Sequence, residues 1–130
     1  MATVKKEKKL VIDVMTALAE GDDRPFLEAM HDDMKWMWMG SGDLSKIFDG
    51  KEAVINELWK SVKTDIVQPF KVKAKTIIAE GEYVVEGMGN NKTLGGKEYN
   101  NRYCWIMKVV EGKIVELREY MDTALVLRTF

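Results

Sequence analysis

Val11, Val14, Met15 and Leu18 recur at i, i+3, i+4 and i+7, one face of a helix, and Gly21 supplies a left-handed stop behind it. Asp22 and Asp23 then offer N-caps ahead of Pro25 in a first turn, where Phe26, Leu27 and Met30 form a short second apolar face. The two helices are expected to form a hairpin. From Asp33 the period changes to two: Met34, Trp36 and Trp38 point one way, Lys35, Met37 and Met39 the other. Both faces are largely apolar, so this strand is expected to be covered on both sides. Gly40 to Gly50, punctuated by Gly, Ser and Asp, reads as a loop, and Val54, Ile55, Leu58, Trp59 and Val62 mark a third helix.

Beyond that helix the pattern is that of a sheet. Phe70, Val72, Ala74, Thr76 and Ile78 alternate with Lys71, Lys73 and Lys75, which predicts one packed face and one that is wet at its start. Glu80, Gly81 and Glu82 turn the chain into a strand holding Tyr83, Val84 and Val85. After a polar, Gly-rich connection from Gly89 to Lys97, Tyr99, Asn101, Tyr103, Trp105 and Met107 share one strand face. Glu111 and Gly112 make a tight hairpin into a last strand from Lys113 to Met121. Helices segregated beside an antiparallel sheet define an α+β domain.

Composition narrows the class. A chain of 130 residues, 46% of them hydrophobic, can bury one core and is too short for two, so residues 1–130 are expected to form a single domain. Twenty basic against 21 acidic side chains leave a net charge of -1, and no global field exists to hold a nucleic acid. Cys104 is the only cysteine, which excludes an intrachain disulfide and a Cys-rich metal site and fits a reducing compartment such as the cytoplasm. Lys5, Lys6, Lys8 and Lys9 before Leu10, Val11 and Ile12 imitate a secretory signal, but Glu7 interrupts the basic run and Asp13 the apolar one. No stretch approaches the roughly 20 apolar residues of a membrane span, so no membrane partner is expected.

Three segments carry a resemblance: Ala19-Glu20-Gly21-Asp22 closing the first helix, Asp32-Asp33 opening the first strand, and Gly112-Lys113-Ile114-Val115 running on through Glu116 to Asp122. Their order resembles the nuclear transport factor 2-like superfamily, in its SnoaL-like and ketosteroid isomerase-like branch. The resemblance implies a strongly curved antiparallel sheet wrapped around three amino-terminal helices into a cone, a cystatin-like α+β barrel. It also implies an apolar pocket at one end for a small hydrophobic molecule, no cofactor, and a homodimer through the sheet. The superfamily includes isomerases, cyclases, epoxide hydrolases, dehydratases, transport factors and non-enzymatic members, so fold does not name chemistry.

The known catalytic patterns can be tried in turn. Ketosteroid isomerases use a general-base Asp with a Tyr and a protonated Asp as oxyanion donors. The matching positions here are Trp38 for the base, Val14 for the Tyr, and Tyr103 or Cys104 for the second Asp. Limonene epoxide hydrolase-like members resemble this chain in the ending Arg118-Glu119-Tyr120-Met121-Asp122, but the middle-strand Arg and Asp are missing from Glu86-Gly87-Met88-Gly89. SnoaL-like cyclases place an essential Asp at the position of Asp122 and a His on the neighbouring strand, which offers Asn100, Asn101 and Arg102 instead.

Asp122 is therefore the leading candidate base, since a carboxylate desolvated among aromatic side chains is pushed toward useful basicity. The plain alternative is an Asp that caps the turn after the last strand or pairs with Arg118 or Arg102. Strand parity groups Asp122 with Tyr120, Arg118 and Glu116, so catalysis requires that face to look inward. Tyr103 and Asn101 are candidate donors to a ligand carbonyl, or structural partners of Asp122 and Tyr120. Trp36, Trp38, Trp59 and Trp105, with Tyr120, are candidate walls, or plain core. His31 is a candidate proton shuttle or a helix-end residue, and because it adjoins Asp32 and Asp33 in sequence the three cannot converge on a metal. Two readings follow: acid/base chemistry (isomerisation, cyclisation or hydration) on a hydrophobic carbonyl compound, or a non-catalytic ligand-binding or dimerisation domain of the same fold.

Overall fold

Helix α1 (Ala2–Ala19) buries Val11, Val14, Met15 and Leu18 along one face, as the 3.6-residue period requires. It closes with Asp22 N–H donating to the Ala17 carbonyl at 2.9 Å and Gly21 N–H to Leu18 at 3.1 Å. Gly21 sits at φ 85°, and a Cβ there would lie 2.6 Å from Pro69 Cγ, so both backbone and space demand glycine. Helix α2 (Arg24–Ala29) follows. Of the two offered caps, Asp22 accepts the Arg24 N–H at 3.1 Å, whereas the Asp23 carboxylate turns away to accept the Trp59 indole N–H at 2.7 Å. The computed structural model describes residues 2–130, with side chains from Lys6 onward; Lys5 of the amino-terminal basic run lies outside the described side chains.

Six strands form one curved, unclosed sheet: β1 (Met30–Met39), β2 (Ser45–Asp49), β3 (Val72–Glu80), β4 (Glu82–Gly89), β5 (Arg102–Val110) and β6 (Lys113–Met121). Their order is β2-β1-β6-β5-β4-β3. The pairs are antiparallel except β1 with β6, which is parallel and joins the amino-terminal strand to the centre of the sheet. Helix α3 (residues 51–65) is continuous through Lys51–Ala53, a π-helical stretch Val54–Trp59 and Lys60–Asp65. Val54, Leu58 and Trp59 of its wide turn are buried. Phe26, Trp36, Trp59 and Trp105 meet beneath it with ring centroids 5.6–5.8 Å apart. The expected α+β cone, with helices against one face of a curved sheet, is what the chain adopts.

Four local expectations change. The predicted loop from Gly40 to Gly50 contains β2, which pairs with β1 and buries Phe48 against the Trp38 ring. The second face of β1 is open: Lys35 and Met39 are exposed and Met37 is half-buried. In β3 a register shift between Ala74 and Thr76 inserts a bulge, so Ile77 packs while Ile78 and Thr76 face solvent. A last helix, α4 (Thr123–Thr129), follows β6 where no element was expected. The hairpin at Glu111 and Gly112 forms as read, with both residues at positive φ, 50° and 78°. Among the described residues, no helix is long and apolar enough to cross a membrane.

Candidate active site

Alternation along β6 turns Leu117, Glu119 and Met121 to the helix side of the sheet and Glu116, Arg118 and Tyr120 to the other. The strand register then sets Glu119 directly across from Trp105 on β5 and from Trp38 on β1. Trp36 shares the inner face with Trp38. Glu119 is only 5% exposed. Its Oε2 accepts the Trp105 indole N–H at 2.8 Å and its Oε1 that of Trp36 at 3.1 Å. Burial raises the Glu119 carboxyl above the ordinary range, because the charged form loses water; the indoles of Trp105, Trp36 and, most weakly, Trp38 oppose the rise without cancelling it.

The folded state thus binds this proton more tightly than the unfolded chain, whose carboxyl titrates near 4.5. The stability tied to Glu119 is complete below that pH and is lost as pH rises toward the raised folded value. Unfolding free energies of the wild type are therefore expected to decline relative to Glu119→Gln from about pH 4.5 upward, by at most about 1.4 kcal/mol per pH unit. Denaturant titrations across pH measure the difference, and a flat difference between the two proteins removes the shift.

Glu119 lies on the wall of a cavity of about 320 Å³. Trp36, Trp38, Trp59, Trp105, Tyr103 and Phe70 supply much of its surface, and Lys46, Glu57 and Asp65 bring charge to it. Lys46 stands 3.6 Å from Glu57 and 4.7 Å from the Phe48 ring centroid. Val126 and Phe130 add the carboxy-terminal helix to the lining, and the Phe130 ring meets Tyr99 edge-on at 5.0 Å.

The structure therefore brings together Trp36, Trp38, Trp59, Trp105 and Tyr103 of the residues singled out in the sequence. Burial pushes the Tyr103 ionisation well above the usual phenol range, and the nearby Tyr99 and Glu119 add to the rise. Asn101 is fully buried beside the cavity lining, and its amide serves the backbone: Oδ1 accepts the Asp122 N–H at 2.9 Å, while Nδ2 donates to the Asp122 carbonyl at 3.3 Å and to the Tyr99 hydroxyl at 3.0 Å. Asp122 is exposed, outside the lining, and its Oδ1 caps α4 by accepting the Leu125 N–H at 3.1 Å. Its parity mates look outward: Arg118 pairs with Glu82 at 2.9 Å and Glu116 at 2.7 Å, and Tyr120 is exposed. His31 is exposed as well, with Nδ1 accepting the Asp33 N–H at 3.0 Å. The carboxylate among aromatic rings is Glu119, three residues earlier than the position singled out. Asp122→Ala is expected to lower stability by about 1 kcal/mol through the lost cap, read by urea unfolding, while leaving the cavity's ligand affinity in place.

Residues 11–117 match the family model of the SnoaL-like domain. A search of curated proteins finds no match. Among solved structures, an NTF2-like protein of unknown function from Burkholderia pseudomallei is similar with a TM-score of 0.78 and 20% identity, over 95% of this chain and 96% of that one. A Bacillus subtilis protein provisionally named an isomerase gives 0.79 and 20%, over 97% and 93%. A Jannaschia protein provisionally named a SnoaL-like polyketide cyclase gives 0.76 and 14%, over 96% and 91%. At these identities the likeness is one of fold.

Proposed function

We propose, from the premise that this chain belongs to the SnoaL-like domain family, that it holds a small hydrophobic molecule in the Glu119 cavity and moves a proton on it. The observation that carries this reading is the single buried carboxyl on an aromatic cavity wall, with its proton affinity raised by desolvation. Such a group is a base or acid for isomerisation, cyclisation or hydration of a carbonyl-type substrate. The provisional names of two structural neighbours, an isomerase and a polyketide cyclase, agree with that class. The protein is proposed to work in the cytoplasm as a homodimer through the outer sheet face. Supporting the dimer, the register aligns Ile47, Met37, Ile106, Val84 and Ile78 in one outward row, with Arg118 in its middle and already ion-paired.

The test is to incubate the protein in heavy water with hydrophobic enolisable ketones, charged and uncharged, and follow deuterium entry by NMR. Exchange that Glu119→Gln loses and Asp122→Asn retains supports the reading. A second reading, a non-catalytic binding domain, is favoured by one observation: both Glu119 oxygens already accept protein N–H groups. Binding without exchange across the whole panel would decide for it.

A further inference from the structure

The charges and hydrogen-bond donors around the cavity restrict what Glu119 can take a proton from. Three carboxyl side chains, Glu57, Asp65 and Glu119, line it against one lysine. That lysine, Lys46, is engaged with Glu57, and Asp65 has no ion-pair partner among the described residues. With Lys46 held by Glu57, the buried Glu119 and the exposed Asp65 at the opening leave the site with an excess of negative charge. An uncharged carbonyl compound that gave its proton to Glu119 would become an enolate, which needs hydrogen-bond donors waiting for it. Most of the donors in the lining are already in use. The indoles of Trp36 and Trp105 serve Glu119, that of Trp59 serves Asp23, and the Ser61 hydroxyl serves the Glu57 carbonyl at 2.9 Å.

A cationic carbon acid meets neither obstacle. Its C–H bond breaks, the proton goes to a Glu119 carboxylate oxygen, and the electron pair stays on a carbon beside the cationic nitrogen. The products are a neutral carboxylic acid and a molecule of zero net charge, so no unpaired anion is left beside the buried carboxyl group. The walls suit such a guest, since an indole or phenol ring attracts a cation held within about 6 Å of its centroid. A carboxylate has about four acceptor sites, and the indoles leave at least one of them for the guest.

We infer that the cavity takes a hydrophobic organic cation, a molecule bearing a quaternary or protonated nitrogen, with Glu119 as its counter-ion and proton acceptor. This rests on the reading of the cavity as a small-molecule site and narrows the class of its occupant. The probes are phenacyltrimethylammonium and its uncharged isostere, phenyl neopentyl ketone, titrated into the full chain by calorimetry at neutral pH. The cation is expected to bind about tenfold tighter or more, and Glu119→Gln to narrow that gap several-fold, the aromatic walls keeping a residual preference. Equal or tighter binding of the uncharged ketone overturns the inference and leaves the hydrophobic-site reading standing. A preference undiminished in a folded Glu119→Gln overturns the role given to Glu119. Binding of neither probe overturns both readings, and the wild-type comparison alone decides if the variant does not fold.

Discussion

Glu119→Gln is expected to slow deuterium exchange into a bound carbon acid by about 10²- to 10⁴-fold, the usual contribution of a positioned general base. Gln keeps the shape of the side chain and removes the group that accepts the proton. In the wild type the rate should rise with pH through the raised Glu119 value, because only the ionised carboxylate is a base, and then level off. The Gln variant should show no such rise. Its amide also turns an N–H₂ toward one of the two indole donors now 2.8 and 3.1 Å from the carboxylate. One buried N–H is thereby left without an acceptor, at a cost of about 1–3 kcal/mol. Rates are therefore compared where both proteins are folded by circular dichroism. Glu119→Asp, which ionises but draws the carboxylate back by one methylene, should recover part of the exchange. An unchanged rate in Glu119→Gln would falsify proton transfer by this residue.

Much of the architecture follows from local chemistry. The buried stripe of α1, the stop at Gly21 and the positive-φ turn at Glu111 and Gly112 each depend on residues adjacent in sequence, so they are readable without knowing the fold. The site is different. Parity correctly groups Asp122 with Tyr120 and Arg118, but which face of β6 looks inward is set by the helices and by parallel pairing with β1, more than 70 residues away. One signal was available: Glu119 has the parity of Leu117 and Met121, an acid inside an apolar period-two register, at the same time as Trp36, Trp38 and Trp105 hold the inner parity of their own strands. The elements that escaped sequence reading are short. Strand β2 has five residues and α4 seven, too few to show a period of their own: β2 is held by pairing with β1 just before it, and α4 by the Asp122 cap and the Phe130 ring against Tyr99.

Trp105→Ala is expected to lower the unfolding free energy by about 3–5 kcal/mol, the range for deleting a large aromatic from a packed core. Trp105 is 1% exposed, and the rings of Phe26, Trp36 and Tyr103 stand 5.6, 5.6 and 5.3 Å from its own. Two losses combine: a void between those rings, and removal of the strongest hydrogen bond that steadies the buried Glu119 carboxylate. Trp105→Phe separates them in large part, since it keeps an aromatic ring in the site while deleting the indole N–H, and about 1–3 kcal/mol should remain for the lost hydrogen bond. In that variant Glu119 loses the largest effect opposing its upward shift, so the pH window over which stability declines should extend to higher pH than in the wild type. Leu94→Ala, at an exposed residue of the loop before β5, serves as the control and should stay within about 0.5 kcal/mol. Guanidinium unfolding with unchanged slopes supplies all three numbers. A Trp105→Ala cost below about 1 kcal/mol would mean that the aromatic cluster around the carboxylate is not packed as described, because no well-filled site of this size collapses so cheaply.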